Sequence, residues 1–138
     1  MTTSLWALTG FAGWTLLLAA AMIVYRVPLV LMMRQRADAW TRGRATEQPA
    51  VMTRLAGAHA NCLEMLPIFA AVVLVAAVAD VPSVTAGLAG WFLAARVGQS
   101  LAHIVSIHHL VIFFVRFPLF LVQVLILAYW IVMLLQLA

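Results

Sequence analysis

Arg54, His59, Asn61 and Glu64 fall within one short stretch, Arg54 to Pro67 (RLAGAHANCLEMLP), which then turns wholly apolar from Ile68 to Ala79. A second group, Arg96, Gln99, Ser100 and His103, lies further along the chain. At about 100° per helical residue, Arg54 and Asn61 share a helix face within about 20°, with Glu64 about 60° beyond Asn61 and His59 on the other flank. Arg54, Asn61 and Glu64 are therefore expected to line one inward stripe. Arg96, Gln99, Ser100 and His103 form another by the same spacing. Two chemistries fit. In one, the groups pair with each other, Glu64 with Arg96 or Arg54 and Asn61 with a backbone carbonyl. In the other, both stripes line a wet cavity for a polar, charged ligand. The two are compatible, and each gives these side chains the partner or task that an intramembrane charge, costing about 2.5–3.5 kcal/mol, requires.

The remaining chemistry-bearing residues point less far. His103, His108 and His109 have no carboxylate or cysteine nearby in sequence, so no metal site is expected. Cys62 lacks a histidine at an activating helical spacing and reads as a small core residue. Gly87, Gly90 and Gly98 are expected to permit close helix packing. No dinucleotide loop, catalytic triad or phosphate-binding loop is present in the sequence.

The elements that must position these groups are helices in a membrane. Of 138 residues, 67% are hydrophobic and 9% charged, and mean hydropathy is +1.12. Soluble domains lie nearer half apolar and a quarter charged. At about 20 apolar residues per span, the length suits one domain, residues 1–138, of four transmembrane helices. These are expected at about residues 5–33, 50–78, 84–107 and 111–137. Trp6 and Trp14 are candidate interfacial anchors on span one, and its last two turns should stand in the headgroups or in water. The hydrophilic block from Arg34 to Ala50, including Thr41, Arg42, Gly43 and Arg44, reads as the longest loop. Asp80 to Ser83 reads as a tight turn.

A net charge of +4, carried by arginine without lysine, invites comparison with nucleic-acid binders. The arginines instead cluster as membrane topology requires, so no nucleic-acid partner is expected. By the positive-inside rule, both termini lie outside and the polar cluster faces the cytoplasm, in a bacterial inner membrane on the association of arginine use with GC-rich genomes. The N-terminus lacks a basic region and a cleavage site before Arg26, so span one is expected to stay in the mature protein.

Residues 58–67 (AHANCLEMLP) resemble the second-helix signature RAHxNxxExxP of the MAPEG superfamily, the membrane-associated proteins of eicosanoid and glutathione metabolism. Residues 95–103 (ARVGQSLAH) are similar to that family's third-helix motif. The resemblance implies a homotrimer of four-helix bundles, embedded among membrane lipids, with glutathione sites between adjacent subunits. It implies that Asn61 and Glu64 hold the peptide's polar groups, Glu64 at its amino end. His59, Arg34 (from a neighbouring subunit) and Arg54 fall on family positions, and Arg96 and Gln99 line the same site. Arg116 falls near the glutathione sulfur and, with His103, would stabilise the thiolate, because a neighbouring cation lowers a thiol's pKa. The implied activity is a glutathione transferase or peroxidase acting on lipophilic small-molecule electrophiles that enter from the bilayer between spans one and four. The alternative is a non-catalytic scaffold or lipid-binding member whose polar stripes are structural. Four positions depart from the family pattern: Gly57 replaces the leading arginine, Met65 follows the glutamate, Gln99 stands at a ring position, and His103 replaces a tyrosine.

Overall fold

The computed structural model describes residues 1–41, 44 and 46–137; Arg42 and Gly43 of the expected loop lie outside the described residues. Every regular element described is helical: α1 (Thr3–Leu31), α2 (Ala50–Val78), α3 (Ser83–Val105) and α4 (His109–Leu137). Helix α4 carries a π-helical turn over Ile112–Arg116. By length and composition α1, α2 and α4 can cross a membrane. Helix α3 is shorter and carries the second polar group.

Local chemistry sets the helix ends. Thr2 caps α1 by accepting from the Leu5 amide at 3.3 Å, which starts the helix before Leu5. The helix stops at Leu31 because Met33 adopts a left-handed φ of 55°, and the amides of Arg34 and Gln35 fold back onto the Leu29 carbonyl. Asp80, at φ 56°, reverses the chain after α2; a short polar side chain tolerates this conformation better than a branched one. The His108 side chain accepts from the Leu110 amide and so caps α4.

Helix α3 is the centre of the bundle and packs against the other three. Helix α1 packs on α2 and α3, and α4 mainly on α3, so α1 and α4 share no substantial packing within the chain. Each helix contributes one fully buried ring to a shared core layer: Phe11, Phe69, Phe92 and Trp130. Phe69 and Phe92 stack with centroids 4.3 Å apart, and Phe11 meets Phe69 edge-on at 5.8 Å. Between helices already surrounded by hydrocarbon, such van der Waals fit and interhelical hydrogen bonds hold the assembly together.

Two expectations are corrected here. Among the described residues of this chain Gly87 and Gly90 face open space and Gly98 meets Leu119 only at an ordinary 3.5 Å, whereas Gly10 does mediate close packing, since a Cβ there would lie 2.8 Å from Leu93 Cδ2 of α3. Trp6 is exposed as an interfacial anchor would be, but Trp14 packs against the core, with its indole nitrogen buried. Their environments differ because Trp14 sits next to Phe11 and Thr15 on the inner face.

Candidate functional site

Side chains from three helices meet on one imidazole. Asn61 Nδ2 of α2 lies 3.3 Å from His103 Nδ1 of α3, and Arg116 Nη2 of α4 lies 3.1 Å from the same atom. A guanidinium only donates, so Nδ1 accepts, and the ring proton belongs on Nε2. That edge of the ring rests on Gly57 of α2, where a Cβ would stand 3.0 Å from Cε1 and 3.1 Å from Nε2. Two departures from the family pattern are thus in contact: the small residue at 57 makes room for the ring at 103.

The π turn sets the angle between Arg116 and the rings that precede it. Its closing bond runs from the Phe117 amide to the Ile112 carbonyl, taking in one residue more than an α turn. The extra residue rotates the first turn of α4 by about 100° relative to the long apolar segment from Phe117 to Leu137. Phe113 and Phe114 then face outward at 61% and 67% exposure, while Arg116 is half-buried with its Nε fully enclosed.

Around this centre the arginines make their own ties. Arg54 Nε donates to the Ile104 carbonyl at 2.6 Å, fixing α2 to the end of α3. Arg96 is 1% exposed; its Nη1 donates to the Asn61 carbonyl at 3.4 Å, and its guanidinium lies over the Phe11 ring at 5.6 Å. Arg96 Nε and Nη2 are buried with no acceptor among the described residues. Gln99 accepts from Gln123 Nε2 at 3.0 Å, deep between α3 and α4. Ser100 donates to the Arg96 carbonyl and lies 3.5 Å from Cys62 Sγ, leaving that thiol fully buried.

Glu64 does not share the inward stripe. It is exposed and forms no ion pair with Arg96 or Arg54, although it is close enough to Arg96 for its charge to act there. Its offset of about 60° from Asn61 carries it past the edge of the packed face. The ion pairs among the described residues, Arg36–Asp38 and Arg44–Asp38, both lie in the loop after α1. His59 is half-buried on α2, close enough to Arg26 to feel its charge. Arg34 is exposed in the loop, beside Met33, Gln35 and Arg36. Of the residues picked out in the sequence, Asn61, His103 and Arg116 are therefore brought into direct contact, with Arg54 and Arg96 around them. Gln99, Glu64, His59 and Arg34 stand apart from that contact.

Gln123 was missed. It is 0% exposed and also donates to the Leu119 carbonyl at 2.7 Å. A signal was available: it is the amide inside an apolar run, seven residues after Arg116 and so on the same helix face within about 20°.

Apolar outer faces around a buried polar centre define an integral membrane protein. The model of the MAPEG family matches residues 4–136, nearly the whole chain. The chain belongs to the MAPEG family. No curated protein and no solved structure matches it significantly.

Proposed function

We propose that this protein binds glutathione or a closely related thiol and transfers it to, or uses it to reduce, lipophilic electrophiles. The observation that carries this reading is the convergence of Asn61 Nδ2 and Arg116 Nη2 on His103 Nδ1. It sets an acceptor nitrogen beside a fixed cation. In the proposed reaction Arg116 turns from His103 Nδ1 to the incoming sulfur, the freed Nδ1 takes the thiol proton, and the guanidinium stabilises the thiolate. The sulfur electron pair then forms a bond to the electrophilic carbon, and the displaced or developing anion takes up the proton. Asn61 and Glu64 would hold the peptide's polar groups, Glu64 at its amino end, with Arg54, His59 and Arg96 beside them, Arg34 closing over from the neighbouring subunit and Gln99 holding α4 in place behind.

Glu64 supports a site shared between subunits. A carboxylate on an outer, apolar helix face is costly against lipid and reasonable against a second copy. A homotrimer would supply that copy. The separation of α1 from α4 supports the same assembly, because a lipophilic substrate can enter between spans one and four only where two subunits meet. The cluster of arginine on the Asn61 side argues for that side facing the cytoplasm, with the termini outside, in a bacterial inner membrane.

Calorimetric titration of the purified protein with glutathione, beside Glu64→Gln and Arg116→Ala variants, tests the reading. Binding in the wild type and its loss in Glu64→Gln is the expected result. Absence of heat in the wild type would remove the thiol site.

One observation favours a second reading, a non-catalytic scaffold or lipid-binding member. Gln99 Oε1 and Arg54 Nε are already engaged by Gln123 and the Ile104 carbonyl. Collapse of the assembly in Glu64→Gln, with no ligand effect, would select it.

A further inference from the structure

The far end of α1 holds a second arginine arrangement, independent of the Asn61–His103–Arg116 contact. About 20 residues of helix separate Arg26 from the exposed Trp6, a rise of about 30 Å, which is the thickness of the hydrocarbon core. An exposed tryptophan marks one bilayer interface, so the Arg26 guanidinium reaches the other. There it lies over the Trp40 ring, 5.3 Å from the centroid. The ring itself is pinned. Trp40 Nε1 donates to Gln48 Oε1 at 3.1 Å, and Gln48 Nε2 donates to Thr53 Oγ1 of α2 at 3.2 Å.

Stacking occupies the guanidinium's face and leaves its edge of N–H donors available. Among the described residues no carboxylate pairs with it, since the ion pairs there engage Arg36 and Arg44 with Asp38. Beside this edge runs a groove of about 270 Å³ lined by Arg26, Val27, Val30, Leu31, Ala37 and Trp40. Apolar walls suit the glycerol and first methylenes of a lipid, and the planar donor edge suits a phosphodiester. Arg34, exposed at the next groove along the loop, adds positive charge, which favours an anionic headgroup over a zwitterionic one.

We propose that the Arg26–Trp40 groove binds the headgroup of an anionic phospholipid, with the phosphodiester on the Arg26 edge and the glycerol against Val27, Val30 and Leu31.

The full chain in detergent would be titrated with dioleoylphosphatidylglycerol and with dioleoylphosphatidylcholine, and retained lipid read by native mass spectrometry for wild type, R26Q, R26K and W40L. The wild type should retain phosphatidylglycerol in preference. R26Q should weaken that retention by about ten- to a hundredfold, the loss of one charge-assisted contact. R26K should keep part of it, because a point charge replaces a planar fork. W40L carries the same expected direction should R26Q not fold. Equal retention of the two lipids by the wild type would overturn the proposal, as would an unchanged preference in both R26Q and W40L. Displacement of the lipid by inorganic phosphate would mark a free-anion site instead, and a changed subunit count in R26Q would mark a contact between copies; either overturns it.

Discussion

The bundle ties its helices with polar side chains at both ends, in opposite ways. Near the Asp80 turn, Ser4 and Thr85 are both buried and share a hydrogen bond of 2.7 Å, and Thr85 donates to the Pro82 carbonyl at 3.3 Å. Each group there has an answer within the chain. At the other end, two donors compete for His103 Nδ1, while Arg116 Nε and two Arg96 nitrogens have no acceptor among the described residues. A closed pair such as Ser4–Thr85 acts as a fastener between α1 and α3. A surplus of buried donors suits recognition of an acceptor-rich anion, since unmet buried donors are costly to a fold that has no use for them.

The largest effect separating structure from recognition should come from Phe92→Ala. It removes the ring stacked on Phe69 and touching Phe11 and Trp130, and should cost about 3–5 kcal/mol in unfolding measured in detergent. Folded protein that remains should still bind thiol; a selective loss of binding would blur the contrast between the two ends. Gln123→Leu comes next. It strands the buried Gln99 carbonyl and should cost about 1–3 kcal/mol, with the double replacement Gln99→Leu/Gln123→Leu recovering most of it. If the double variant is no better than the single, this pair belongs with the recognition end.

Gly57→Ala should cost about 1 kcal/mol and weaken thiol binding about tenfold, because its methyl pushes the His103 ring a few tenths of an ångström out of its seat beside Arg116. Gly98→Ala, whose Cβ would meet Leu119 at an ordinary 3.5 Å, should be neutral or gain up to about 1 kcal/mol. Equal effects at both glycines would remove the special status of the His103 contact.

The smallest effect lies in the loop. Arg36 and then Arg44 hold the Asp38 carboxyl down to about 2, below its ordinary 3.8. The contribution of that cluster is therefore fully present above pH 3.8 and is lost as the pH falls through about 2. The Asp38 carboxyl shift tracked by NMR should show the depressed midpoint in wild type and a normal one in Arg36→Ala/Arg44→Ala.

The helical, membrane-crossing character was legible because composition alone excludes a soluble core, and Arg54, Asn61, Arg96 and His103 were legible as inward residues from their spacing. What escaped has specific causes. Glu64 sat near a face boundary, and periodicity resolves no finer than about one residue, or 100°. The partners of Arg96 and Arg54 proved to be backbone carbonyls, which no side-chain pattern announces. Contact between Gly57 and His103 joins two helices, so each departure read alone as a loss. The π turn has no distinctive residue code in IFFVR, and without it the angle between Arg116 and the rings of Phe113 and Phe114 has no predictable value.

That wide turn has a consequence for how the protein can change. It stores one residue of slack between the His108 cap and the lipid-facing length of α4. A single deletion within Ile112–Val115 would tighten the coil to regular pitch, leaving Arg116 and Phe117–Leu137 in register with each other. The same deletion would swing whichever aromatic rings remain ahead of it around the helix axis. An indel at this point can thus redecorate the mouth of the bundle while the cation behind it stays seated.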